Sequence, residues 1–141
     1  MNTTAENRRL IEGIFAELER KNSKPFVDAM ADDVVWRIAG SSIWSRTFRG
    51  KASVIGELLG PVREQLVERV HLTAGRIVAE GDLVVVEATG RATAKTGKPY
   101  NNEYCFVYRL AGGKIVEVVE HIDTDLACST LVPPWARAQE A

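Results

Sequence analysis

The 141-residue chain has two cysteines, two histidines and no excess of either charge, and each shortage closes off a class of function. Cys105 and Cys128 lie far apart without Cys-x-x-Cys spacing, so with only His71 and His121 beside them neither a disulfide framework nor a zinc site is indicated. Both thiols are expected to be buried, the usual state of a free cysteine. Eighteen basic against nineteen acidic side chains leave a net charge of −1, so no whole-chain field draws nucleic acid or an anionic membrane. No apolar run approaches the ~20 residues of a spanning helix, and residues 1–6 have no signal-peptide profile. A soluble, cytoplasmic protein is the expectation. Gly-rich phosphate loops, internal repeats, linkers and charge runs are missing too, and 141 residues that are 45% hydrophobic fit one domain, 1–141.

What is present reads as helices followed by strands. Thr3 with Glu6 three residues on makes a capping box, and Leu10, Ile11, Ile14, Phe15 and Leu18 continue as one stripe, which predicts a helix over about 4–21. Pro25 suits the first turn of a short second helix that buries Phe26, Val27 and Met30. Val34-Val35-Trp36-Arg37-Ile38 is β-branched and aromatic, hence a strand, and the loop after it carries Trp44, expected to be exposed. Val54, Ile55, Leu58, Leu59 and Val62 have helical spacing, which Gly60-Pro61 is expected to break or kink. Four extended runs follow at about 66–78, 83–94, 100–110 and 114–122, separated by Glu80-Gly81-Asp82, Thr96-Gly97-Lys98-Pro99 and Gly112-Gly113. Helices grouped before a meander argue α+β, with the helices on one sheet face. The tail from Pro133 onward is expected to be loosely packed or engaged in subunit contacts.

A sheet covered on one side leaves a concavity suited to a small molecule, so the side chains facing it matter most. A turn centred on Thr96-Gly97 pairs odd positions before it with even positions after it, which puts Glu87, Thr89 and Arg91 beside Asn102, Tyr104, Phe106 and Tyr108. In the last hairpin a three-residue Ala111-Gly112-Gly113 loop with a glycine bulge turns Val116, Val118, Glu120 and Ile122 to the same face. A two-residue loop brings in His121 and Asp123 instead. The bulge is favoured, because Gly-Lys after two loop residues suits a left-handed position.

Ala31-Asp32-Asp33, Phe48-Arg49-Gly50-Lys51, Ala79-Glu80-Gly81-Asp82, the run 96–101, Gly113-Lys114-Ile115 and the ending Glu120-His121-Ile122-Asp123-Thr124 together resemble the SnoaL-like, ketosteroid-isomerase-like branch of the nuclear transport factor two superfamily. The resemblance covers about 9–127. It implies a cone-shaped curved antiparallel or mixed sheet wrapped around N-terminal helices, a cystatin-like α+β barrel, with an apolar pocket and frequent homodimers. It implies no single chemistry, since polyketide cyclases, isomerases, epoxide hydrolases, dehydratases and non-catalytic binders share the fold. Laid on the limonene epoxide hydrolase pattern, the family's Tyr and Asn fall on Trp36 and Ile38, its Arg and Asp on Glu87 and Thr89, and its last-strand Asp on Glu120. Only an acid at 120 survives. The ketosteroid isomerase base falls on Ile38, which cannot take a proton.

Glu120 is therefore the expected acid/base residue, with Arg91 and His71 as catalytic helpers; the blander expectation for Glu120 is a rim acid paired with Arg91. Trp36, Glu87, Thr89, Asn102, Tyr104 and Ile122 are expected to contact substrate, and Asp123 to cap a C-terminal turn. No cofactor or metal is expected. Two function classes follow: a cofactor-independent acid/base enzyme on a small apolar cyclic or carbonyl-bearing molecule, or a ligand-binding or dimerisation module of the same fold. A homodimer is expected through an outer sheet face read as Val84, Val86, Ala88, Cys105, Val107 and Val119 with Gly90 and Ala92.

Overall fold

The computed structural model describes residues 2–136. α1 (Thr4–Glu19) starts as its capping box dictates, with Thr3 Oγ1 accepting from Glu6 N at 3.1 Å and Glu6 Oε1 accepting from Thr3 N at 3.2 Å. Its stripe of Ile11, Ile14, Phe15 and Leu18 is buried against the sheet. Asn7, also buried, donates to the Gly81 carbonyl at 3.0 Å and so pins a distant strand turn to the helix. α2 (Lys24–Ala29) buries Phe26 and runs directly into β1 (Met30–Ile38), which begins earlier than the Val34 expected. β2 (Thr47–Arg49) pairs antiparallel with β1.

Gly60-Pro61 widens the next helix and does not end it. α3 (Lys51–Ser53) passes into a π-helical stretch (Val54–Leu59) and then α4 (Gly60–Glu64). Pro61 has no N–H to give, and the Gly60 N–H reaches back to the Ile55 carbonyl, a five-residue bond. β3 (His71–Glu80), β4 (Leu83–Arg91), β5 (Glu103–Ala111) and β6 (Lys114–Ile122) form the meander, and α5 (Thr124–Thr130) closes it. The sheet order is β2-β1-β6-β5-β4-β3, mixed because β1 runs parallel to β6. Register shifts in β3 and between β5 and β6 curve it around the helices. Among the described residues no helix is long and apolar enough to cross a membrane.

Three expectations are corrected here. Trp44 is only 2% exposed: its ring meets Trp135 edge-on at 5.5 Å and its Nε1 donates to the Leu131 carbonyl at 3.3 Å. The described part of the tail is thus docked, with the Arg46 guanidinium 4.3 Å from the centre of the Trp135 ring. Two segments far apart in sequence cover each other, which no local pattern reveals. Cys105 is half-buried and Cys128 exposed, so neither is a core thiol.

The β4–β5 register is the consequential correction. The turn is a three-residue Lys95-Thr96-Gly97 loop, with Gly97 N bonded to the Ala94 carbonyl and Gly97 at φ 94°. Its centre is Thr96, so even positions pair with even: Val84 with Tyr108, Val86 with Phe106, Ala88 with Tyr104. Val84, Val86, Ala88 and Gly90 face the helices, while Glu87, Thr89 and Arg91 face away. Gly90 is needed there because a Cβ would lie 2.8 Å from Tyr104 Cε2 and 2.9 Å from Val70 Cγ1. Gly90→Ala should therefore displace the Tyr104 ring and cost about 1–3 kcal/mol, the range for overpacking, read as a lower urea midpoint at unchanged slope.

Candidate functional site

Even positions of β5 put Tyr104, Phe106 and Tyr108 on the inner face, where the first two rings stack at 5.2 Å and the last two at 5.6 Å. Trp36 of β1 meets Phe106 edge-on at 6.4 Å. Between these aromatics, α2, the π-helical stretch and α5 lies a cavity of about 430 Å³, within the usual size of small-molecule sites. Its walls are mainly apolar, with Ile38, Leu58, Phe106 and Ile122 among them.

Glu120 projects into this cavity from β6. The parity that turns it inward arises differently from expectation: the loop is the two-residue Gly112-Gly113, both at positive φ, and Val116 is the extra residue just inside the strand. Leu110 pairs with Ile115 but Arg109 with Glu117, so from there on Phe106 opposes Glu120 and Tyr104 opposes Ile122. On its other side Glu120 neighbours Ile38 of β1. The carboxyl is 8% exposed, accepts one hydrogen bond from Trp36 Nε1 at 2.9 Å, and has no cation within salt-bridge reach among the described residues. A hydrogen bond to a charged group is worth about 1.5–3 kcal/mol, whereas taking an ion out of water costs several. Burial wins, and the pKa is pushed up to about 7 against the opposing pull of the indole N–H.

Tyr100, which sequence reasoning passed over, completes the polar group. It lines the cavity, and burial raises its phenol to about 12, with the carboxyl of Glu120 adding to the effect. Tyr104 is raised well above the ordinary tyrosine value, mainly by burial, with Tyr100 and Glu120 contributing. Both phenols stay protonated and able to donate. Tyr100 shares the parity of Asn102 and Tyr104, so the same alternation that found those two reaches it as well.

Of the expected site residues, Trp36, Tyr104, Glu120 and Ile122 meet at this cavity. Glu87 does not: it faces outward and is ion-paired to Arg76, which lowers its pKa. Thr89 is exposed on the same outer face. Arg91 lies opposite His71 at the sheet end, its Nη2 3.3 Å from His71 Nδ1, and neither lines the cavity. The misplacements of Glu87, Thr89 and Arg91 follow from the single-residue slip in the β4–β5 turn, and His71 of β3 pairs with Arg91 at the sheet end. Asn102 is buried but spent: Nδ2 donates to Tyr100 Oη at 3.1 Å and to the Asp123 carbonyl at 3.2 Å, and Oδ1 accepts from Glu103 N and Asp123 N. It positions Tyr100 and ties the start of β5 to α5. Asp123 caps α5 as expected, accepting from Leu126 N at 3.1 Å.

Comparison with known proteins matches the SnoaL-like domain to residues 11–118. No curated protein matches the chain in sequence. Among solved structures, an NTF2-like protein of unknown function from Burkholderia pseudomallei superposes with a TM-score of 0.76 at 22% identity, covering 90% of this chain and 98% of that one. A SnoaL-like polyketide cyclase candidate from Jannaschia gives 0.75 at 16% identity, covering 95% and 97%. An LEH-like epoxide hydrolase from M. tuberculosis gives 0.67 at 19% identity, covering 98% of both chains. At these identities the likeness is one of fold.

The raised pKa of Glu120 fixes the sign of a pH effect. Between the ordinary glutamate value of 4.5 and about 7 the folded protein holds a proton that the unfolded chain has lost. Stability should therefore fall as pH rises through that window and level off above it. Glu120→Gln cannot ionise, so urea melts should show it gaining about 1–3 kcal/mol on the native protein between pH 5 and pH 8.

Proposed function

The chain belongs to the SnoaL-like domain family, and on that premise we propose that it is a cofactor-independent enzyme that moves a proton on a small, apolar, cyclic or carbonyl-bearing molecule, with Glu120 as the acid/base group. One observation carries the reading: a lone carboxyl inside an apolar cavity, without a counter-cation, its pKa pushed up to about 7. Such a group exchanges protons at neutral pH, whereas an ordinary carboxylate is too weak a base. As the base, Glu120 takes a proton from a carbon beside the substrate carbonyl, and the electron pair moves to the carbonyl oxygen. The Tyr104 and Tyr100 hydroxyls donate hydrogen bonds to that oxygen as its charge grows, in surroundings where such bonds are strong. Returning the proton to another carbon isomerises the substrate; expelling a leaving group eliminates or opens a ring. The Trp36 N–H holds the carboxyl in one orientation throughout.

Exchange of α-hydrogens of a cyclic ketone in heavy water tests this without the natural substrate. Glu120→Gln should lose about 10²–10⁴-fold in exchange rate at nearly unchanged ketone affinity, and Tyr104→Ala should weaken binding. A carboxyl NMR titration should place Glu120 near 7. A midpoint at or below the ordinary 4.5, or a Gln variant of undiminished rate, would remove Glu120 as the acid/base group, and no exchange above the solvent rate in the native protein would leave a binding module without turnover.

The outer sheet face supports a homodimer, with Val107 and Val119 as expected but with Val78 and Val85 in place of Val84, Val86 and Ala88, which face inward. Val78, Val85, Val107 and Val119 are directly paired across β3, β4, β5 and β6 and form one apolar row, with Val78 62% exposed. Sedimentation at micromolar concentration should give twice the 15.5 kDa chain mass, and Val107→Asp should halve it. A monomeric native protein sinks the idea.

A further inference from the structure

The apolar cavity adjoins a second concavity of about 340 Å³ lined by Lys21, Glu68, Arg69, His71, Arg91 and Asn101, among others. Lys21 and Arg69 line both, and Arg63 lines the cavity beside them. Four formal cations, Lys21, Arg63, Arg69 and Arg91, thus stand against two acids, Glu68 at the rim and Glu120 inside the cavity, in a chain whose net charge is −1. Glu120 carries only part of a full charge at neutral pH and forms no salt bridge with any of the four cations.

The cations are mostly uncommitted. Of these four, only Lys21 is ion-paired among the described residues, to Glu68 at 2.7 Å. Arg69 Nη1 donates to Ser23 Oγ at 2.9 Å, Arg63 Nη1 to the Leu66 carbonyl at 3.1 Å, and Arg91 Nη2 lies 3.3 Å from His71 Nδ1. Each guanidinium has five N–H donors, so each keeps four. Lys21 is also the one non-glycine residue at positive φ, 62°, among the described residues. It holds the left-handed position after α1, with Lys21 N bonded to the Leu18 carbonyl and Asn22 N to the Glu17 carbonyl, where glycine is the usual occupant. A lysine there carries backbone strain and places an ammonium on the rim.

We propose that the ligand of this site is an amphiphile: an apolar ring or chain that fills the cavity, carrying an anionic group, a carboxylate or a phosphate, that rests in the groove between Lys21, Arg69 and Arg91. This rests on the reading that the cavity takes a small molecule. The anchored head group fixes which part of the body reaches Glu120, so binding at a distance from the reacting atoms supplies orientation. It also sets ligand polarity, because an apolar wall meets a charged rim at one line.

Three probes with one body test it: 4-phenylbutanol, 4-phenylbutyrate and 4-phenylbutyl phosphate, measured by calorimetry on the full chain. Both anions should bind about tenfold or more tighter than the alcohol at low salt, and the advantage should shrink as ionic strength rises from about 0.02 to 0.2 M. The Arg69→Ala, Arg91→Ala double variant should abolish the advantage. Lys21→Gly should reduce it in a protein that melts higher, because glycine accepts φ 62° without strain; loss of affinity there cannot be blamed on unfolding. Leu58→Trp, which fills the cavity, should weaken all three probes. Either order of the two anions supports the proposal and names the head group. Equal binding of alcohol and anions overturns it while leaving the cavity a small-molecule site. Anion binding that Leu58→Trp does not touch overturns it too, since the groove then acts alone. No binding of any probe overturns the cavity reading itself.

Discussion

A carboxyl group and an indole N–H, brought together from β6 and β1, form the contact on which the site depends. The bond between Glu120 and Trp36 crosses the one parallel pairing in the sheet, so it joins the end of the chain's meander to the strand that leaves the N-terminal helices. One such bond satisfies part of the carboxyl's demand and no cation satisfies the rest. The imbalance is the useful quantity. Had an arginine been there, the carboxylate would be stable and a poor base; had there been no N–H, the side chain would lack a fixed orientation.

The surroundings keep that imbalance in place. Tyr104, Phe106 and Tyr108 stack along one strand face, Trp36 and Phe26 meet edge-on at 5.8 Å, and Phe15 of α1 closes on Phe106 at 6.1 Å. Rings packed this way surround the carboxyl with apolar surface, and their contacts add about 0.5–1.5 kcal/mol per pair beyond the area they bury. Glycine at position 90 belongs to the same arrangement, because the space a Cβ would need is already the edge of the Tyr104 ring. Polarity is then sorted by depth: phenols and a carboxyl inside, cations at the rim.

The family alone does not decide the chemistry. Solved structures of the same fold include an LEH-like epoxide hydrolase and a SnoaL-like polyketide cyclase candidate, and in this chain Trp36, Ile38 and Glu120 face the cavity while Glu87 and Thr89 face away from it. Function on such a scaffold lies in the handful of side chains that the inner face presents. Here the polar and indole groups that the inner face presents to the cavity include Glu120, Trp36, Tyr100 and Tyr104.

Several features were legible from sequence because they are local. The capping box, the helical stripe of α1, the order of helices and strands, and the asparagine-free glycine turns each depend on residues a few positions apart. The family resemblance supplied the cone-shaped α+β fold, since its motifs sit at the turns that define the meander. The inward aim of Glu120 came out correctly, although the extra residue is Val116 and not part of the loop. What tertiary structure decided is everything that hangs on parity or on distant partners. A three-residue turn at Lys95-Thr96-Gly97 in place of a two-residue one sent Glu87, Thr89 and Arg91 outward and turned Val84, Val86 and Ala88 in, because a strand alternates sides at every residue and one step reverses all of them. Trp44 and Trp135 meet across segments far apart in the chain, and Asn102 is spent on Asp123 and Tyr100; such pairings are made by the closed fold.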